Sequence, residues 1–182
     1  MIFRCLKCNK LSFEVLCEEC RVEVNLYRKD GVISFYRYDD IEFLLKFKYQ
    51  KNGSVVFKYL SKPFAKFAKE FKFKAFVIPI EGKREVGYSH TAILAKAFNT
   101  SYLTPLYSSL IDKSNVRYAG KSFEFRKNHP RKFIYNGKSG IDAILVDDVK
   151  TTGLTLSFAK EVLKKHNVNV LFSVVLSDKS LV

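Results

Sequence analysis

Ile144-Leu145-Val146-Asp147-Asp148-Val149-Lys150-Thr151-Thr152-Gly153-Leu154-Thr155 decides the reading of this 182-residue chain. Three apolar residues mark the end of a buried parallel strand. Two adjacent carboxylates follow, and a hydroxyl-rich turn then opens into Thr155-Leu156-Ser157-Phe158-Ala159-Lys160-Glu161-Val162-Leu163, an amphipathic segment of helical period. A strand, a tight turn and a helix N-terminus form an anion trap, because unpaired backbone N–H groups and the positive end of the helix dipole converge there. Thr151, Thr152 and Thr155 add hydroxyl donors, and Gly153 lets the main chain approach a cluster of oxygens.

Working outward, apolar strands alternate with helical patterns. Val32 to Tyr38 has β-branched and aromatic strand character, and Asp39-Asp40 reads as the N-cap of a helix over Ile41 to Phe47. Val55, Val56, Tyr59, Leu60, Phe64, Phe67, Ala68 and Phe71 keep helical spacing, with a kink or restart expected at Pro63. Strands are expected over Ala75–Ile80, Tyr102–Leu106, Lys132–Tyr135, Ile141–Val146 and Val168–Leu176, with a helix over Thr91–Phe98. This alternation predicts an α/β fold: a mostly parallel sheet flanked by helices, with right-handed crossovers. Ligands of such sheets bind beyond the carboxyl ends of the strands, where Asp147-Asp148 and the loop residues Lys83 and Arg84 both fall. Gly-x-Gly-x-x-Gly and P-loop patterns are absent, as is any Ser/His/Asp or Cys/His hydrolase arrangement. His90, His129 and His166 show no ligand spacing and read as solvated or packed.

All four cysteines fall in two close pairs, Cys5-x-x-Cys8 and Cys17-x-x-Cys20. Two such knuckles supply the tetrahedral thiolate set that zinc prefers, closed and therefore structural. Disulfides and a CxxC redox pair are the weaker alternatives. Metal binding worth roughly 10–16 kcal/mol can fold an otherwise core-poor segment, so residues 1–26 are expected to be a small zinc finger and 27–182 the α/β domain.

The chain carries 32 Lys+Arg against 18 Asp+Glu, a formal charge of +14. Such a balance suits nucleic acid, phosphorylated ligands or an anionic membrane face, with compositional background as the plain alternative. No 18-residue apolar run and no signal-peptide core are present, so the expected compartment is the cytosol. From about Ser108 to Arg131 the pattern has no firm period. Lys113, Arg117, Lys121, Arg126, Lys127 and Arg131 interleave there with Tyr118, Phe123 and Phe125. A solvated loop, a basic lid over a diphosphate, or a groove for single-stranded nucleic acid all fit this composition.

The opening run resembles the phosphoribosyl diphosphate (PRPP) motif of type I phosphoribosyltransferases, at its acidic pair and its Thr-Thr-Gly-x-Thr turn. Together with the paired knuckles, the Leu44-Leu45-Lys46-Phe47-Lys48 segment and the Ile78-Pro79 loop with Gly87, nearly the whole chain resembles the ComF family of competence proteins. The resemblance implies an N-terminal zinc finger joined to a phosphoribosyltransferase-like domain, and a role in DNA uptake during natural transformation. It implies binding of single-stranded DNA, alongside other DNA-uptake proteins, in a cytoplasmic protein peripheral at the inner membrane. Asp147 and Asp148 would face the ribose hydroxyls of PRPP bound with Mg, while Thr151, Thr152, Gly153, Leu154 and Thr155 would hold the 5′-phosphate. Lys83 and Arg84 would occupy the pyrophosphate position. An active transferase would use Asp147 and Asp148 as its catalytic acids and pass the ribosyl group to a nitrogenous base or amine. A PRPP-sensing regulator would share the cradle without the chemistry. One departure stands out: the family usually carries an Arg-Gly-Phe-Asn-Gln-like segment where this chain reads Val86-Gly87-Tyr88-Ser89-His90.

Overall fold

The structure, a computed structural model, describes residues 3–82, 87–114 and 122–181. In chain order its elements are β1 (Phe3–Arg4), β2 (Leu11–Ser12), β3 (Tyr27–Lys29), β4 (Val32–Tyr36), α1 (Tyr38–Leu45), α2 (Gly53–Leu60), α3 (Lys62–Ala68), β5 (Ala75–Glu81) and α4 (His90–Lys96). They continue with β6 (Leu103–Pro105), β7 (Leu110–Asp112), α5 (Phe123–Asn128), β8 (Phe133–Tyr135), β9 (Ile141–Val146), β10 (Val149–Lys150), α6 (Leu154–Lys165) and β11 (Val168–Asp178). A 3₁₀ turn over Lys46–Tyr49 joins α1 to α2.

The central sheet runs in the order β3-β4-β11-β9-β5-β7-β8, with β10 beside β11 and β6 beside β5. β4, β11, β9 and β5 are mutually parallel, and the antiparallel pairs β3–β4 and β7–β8 flank them. β9 lies in the middle because its run is apolar on both faces, as a strand covered from both sides must be. Its alternate residues serve two cores. Ile144 and Val146 join Phe35, Val77, Val174 and Leu176 under α1 to α4, whereas Ala143 and Leu145 join Ile78, Ile80 and Val175 under α6. The mostly parallel α/β sheet flanked by helices is therefore the observed fold.

Pro63 sits in the first turn of α3, where its missing N–H costs nothing, and the helix restarts there as expected. Two expectations need correction. α1 begins at Tyr38 with Arg37 as its extended N-cap. Asp39 and Asp40 are thus first-turn residues that favour the helix dipole rather than caps. The segment read as irregular contains β7, paired antiparallel with β8 (Leu110 opposite Tyr135, Asp112 opposite Phe133), and the short helix α5. Strands of three residues are too short to show a period.

The cysteine-bearing segment does not stand apart from this body. Cys5, Val15 and Leu16 lie in the same buried cluster as Phe35, Phe57 and Phe64, and Glu14 pairs with Lys62 of α3.

Candidate functional site

The acid pair leaves the sheet at the carboxyl end of β9, still tied to β11. Asp147 N–H donates to Val174 O at 3.0 Å, and Asp148 O accepts from Leu176 N–H at 2.9 Å. Asp147 Oδ1 accepts from Asp148 N–H at 2.9 Å, and Asp148 Oδ1 from Val149 N–H at 3.0 Å. Both carboxylates are buried. β10 then pairs with the end of β11, and Lys150 turns away from the acids to Asp178 Oδ2 at 2.6 Å.

Gly153 caps α6 at φ 79°, a left-handed conformation that side chains rarely adopt. Space is not the reason, since an added Cβ would meet only Lys150 Cε at 3.5 Å. No side chain caps α6 at Gly153, and Leu154 N–H reaches Thr152 Oγ1 only at a long 3.5 Å. Thr152 is exposed, while Thr151, Leu154 and Thr155 are half-buried. Donor-rich main chain, three hydroxyls and the positive end of a 12-residue helix thus meet beside the acid pair.

Three residues that sequence patterns did not single out as site residues complete the arrangement. Lys48, in the 3₁₀ turn, places Nζ 2.6 Å from Asp148 Oδ2. His90, at the start of α4, places Nε2 at 3.6 Å from the same oxygen, with its ring against Phe57. Tyr88 donates its hydroxyl to the carbonyl cluster of the 3₁₀ turn, closest to Lys48 O at 2.9 Å and with Phe47 O at 3.2 Å. His90 is packed, one of the two states expected of it, and its imidazole also faces the acid pair. Lys48 belongs to the Leu-Leu-Lys-Phe-Lys segment, but its partner lies a hundred residues away in the chain, beyond the reach of any local pattern. Ser89, in the departing segment, caps α4 by accepting from Ala92 N–H at 3.1 Å.

Burial sets the charges. It pushes Asp147 up to about 8, helped by its anionic neighbour Asp148. Burial pushes Asp148 up as well, but Lys48 above all, with His90 behind it, holds that carboxyl well below the usual range. Burial lowers His90 to about 4, so at neutral pH the imidazole is uncharged and Lys48 is the cation that matters. The pair therefore holds one firmly ionised carboxylate and one that keeps its proton near neutrality, an acceptor beside a donor.

Arg131 pairs with buried Asp112 beside the β7–β8 pair, and its charge draws Asp147 downward a little. Lys113 and Lys127 are exposed. Lys83, Arg84, Arg117 and Lys121 lie outside the described residues. Arg126 is on α5, but its side chain lies outside them too.

At the other end of the molecule, the sulfurs of Cys5, Cys8, Cys17 and Cys20 all lie within 4.8 Å of one another. A tetrahedral zinc–thiolate site needs sulfurs about 3.8 Å apart, so the cluster fits the ion. Burial pushes the Cys5 thiol up, but backbone N–H groups of Cys17, Cys8 and Lys7 outweigh it and bring it down to about 6. Cys20, crowded by burial and the other three sulfurs, is pushed up to about 12. A divalent cation bound there would hold all four sulfurs as thiolates.

The class of protein outlined here is a mostly parallel α/β body carrying a four-cysteine cluster. The chain is similar to competence protein ComFC of Bacillus subtilis (strain 168), 29% identical over 161 residues. That likeness covers 81% of this chain and 65% of ComFC, so the chain spans a little under two thirds of that relative's length. It bears out the resemblance read from the motifs. No family model matches the chain. Among solved structures it is similar to adenine phosphoribosyltransferase from Thermoanaerobacter pseudethanolicus (TM-score 0.48, 18% identity, 88% of this chain and 86% of that one). It is also similar to the Trypanosoma brucei adenine phosphoribosyltransferase solved with AMP, pyrophosphate and ribose-5-phosphate (TM-score 0.48, 11% identity, 87% and 88%). Among the described residues, no helix is long and apolar enough to cross a membrane.

Proposed function

We propose that this chain is a competence factor that binds PRPP in the cradle between Asp147-Asp148 and the N-terminus of α6, and binds single-stranded DNA on its basic surface. The observation that carries the reading is the convergence just described: two buried acids, one kept ionised by Lys48, next to an uncapped helix start entered through Gly153. The acids suit the vicinal hydroxyls of a ribose, and the helix start suits its 5′-phosphate. Thr151, Thr152, Gly153, Leu154 and Thr155 line that start, and Lys83 and Arg84 are assigned to the pyrophosphate. Mg enters with PRPP, where it supplies charge neutralisation of the diphosphate. Similarity to a competence protein and the +14 charge support DNA as the macromolecular partner. Residues 1–26 are the metal-folded unit in this reading, with zinc on Cys5, Cys8, Cys17 and Cys20.

The test is fluorescence anisotropy of a labelled single-stranded oligonucleotide, titrated over several salt concentrations with and without Mg-PRPP. Binding should weaken steeply with salt, log K falling about 0.7 per phosphate neutralised. Replacing Lys113, Lys127 and Arg131 by Ala should flatten that slope. Weak, salt-insensitive binding would remove DNA from the account.

A further inference from the structure

Lys48 is held against Asp148 by more than its own charge. The Tyr88 hydroxyl lies within hydrogen-bond reach of the carbonyls of Phe47, Lys48 and Gln50, with Lys48 O closest at 2.9 Å, and ties the 3₁₀ turn to the segment before α4. Gly53 closes that turn from behind, where an added Cβ would lie 2.0 Å from Phe47 O and 2.1 Å from the Tyr88 hydroxyl. α1, α2 and the segment before α4 therefore cooperate to deliver one ammonium to one carboxylate. This ion pair engages one of the two acids at the end of β9, and the Lys48 side chain is still 23% exposed.

We propose that Lys48 is a positioning residue that serves as the built-in countercation of the acid pair, so that the ribose 5-phosphate half of a ligand binds without a divalent cation. The inference rests on the cradle reading above. A buried carboxylate beside a second buried acid demands positive charge in a medium of low dielectric. A hard metal ion could supply it, but here an ammonium already sits 2.6 Å from Asp148 Oδ2. Lysine carries three N–H donors, so a cation committed to Asp148 can also reach a ligand oxygen entering from the open side. Asp148 stays ionised as an acceptor for a ribose hydroxyl, with its lysine partner supplied by the chain itself. The metal requirement then belongs to the pyrophosphate half alone.

The experiment is calorimetric titration with ribose 5-phosphate, which lacks the diphosphate, in magnesium-free buffer and in magnesium. No chelator is used, so that the cysteine cluster stays intact. The wild type should bind with similar affinity in both buffers. Lys48→Met should lose about 10- to 100-fold without magnesium, the worth of a charge-assisted hydrogen bond, and regain most of it with magnesium. Lys48→Arg should keep metal-free binding. If Lys48→Met weakened binding equally in both buffers while lowering Tm, the pair would be structural and the inference overturned. The wild-type comparison needs no variant: ribose 5-phosphate bound only with magnesium overturns the inference and leaves the cradle standing. A wild type that binds neither ribose 5-phosphate nor Mg-PRPP overturns both.

Discussion

The Tyr88 hydroxyl donates to Lys48 O at 2.9 Å, linking the segment before α4 to the turn that supplies the cation of the acid pair. The ComF-like pattern carries Phe at this place, and the extra hydroxyl here joins a knot of carbonyls in which Phe47 O and Gln50 O also accept from Gln50 N–H and Gly53 N–H. Tyr88→Phe should therefore fold but lose about 1 kcal/mol of stability, the usual net worth of a hydrogen bond. PRPP affinity should fall a few-fold with it, because the turn relaxes around Lys48. Chemical denaturation and calorimetry check the two effects; unchanged values in both would sever Tyr88 from the site.

Two glycines should respond very differently to the same substitution. Gly153→Ala meets no clash and suffers only from its left-handed φ of 79°, a penalty of about 1–2 kcal/mol. Gly53→Ala would drive a methyl into Phe47 O and the Tyr88 hydroxyl, so the turn must move and Lys48 with it. Thermal melts should rank Gly53→Ala well below Gly153→Ala, and ligand binding should follow the same order. The reverse order would mean that the turn is not rigid.

Asp147 gives the stability a pH signature. Its folded value of about 8 lies above the ordinary carboxylate value near 4, so the native state holds a proton that the unfolded chain has released. The contribution of this group is fully present below about pH 4, and declines as pH rises towards 8. Asp148 has the opposite sign: held low by Lys48, it contributes above its ordinary value and loses that contribution as pH falls below it. Asp147→Asn should remove the first trend. The stability difference between wild type and Asp147→Asn, measured by denaturation from pH 5 to 9, should shift against the wild type as pH rises. A difference independent of pH would mean that Asp147 is ionised throughout.

The cysteine cluster makes a prediction about the main body. Leu16 and Val15 are buried in the same core as Phe57 and Phe64, so unfolding the metal unit strips cover from that core. Chelation should bring metal content to zero, abolish amide protection across residues 3–26 and lower Tm of the whole protein. Cys5→Ser should do the same, because Cys5 is the buried member whose sulfur receives backbone N–H groups. Full protection in a metal-free protein would refute a structural metal.

Legibility in the sequence followed range. β9 ends at Val146 as read, because a continuous apolar run stopped by two acids admits few alternatives. The restart at Pro63 was legible for the same local reason. Tyr38, by contrast, begins α1 without a capping side chain, so nothing before it signals a start. β7 exists because Leu110 and Asp112 pair with Tyr135 and Phe133, a contact that three residues cannot announce. The acid pair and the helix start were visible as a motif. Lys48 and His90 were not, since only folding brings the 3₁₀ turn and α4 to the end of β9.

The most direct measurement is calorimetric binding of Mg-PRPP to the wild type and to Asp148→Asn, with circular dichroism to confirm that both fold. The expected result is saturable one-to-one binding by the wild type and a loss of at least about tenfold in the variant, since a charge-assisted acceptor is removed. Equal affinity in two well-folded proteins would contradict the assignment and move the phosphoribosyl site away from the end of β9.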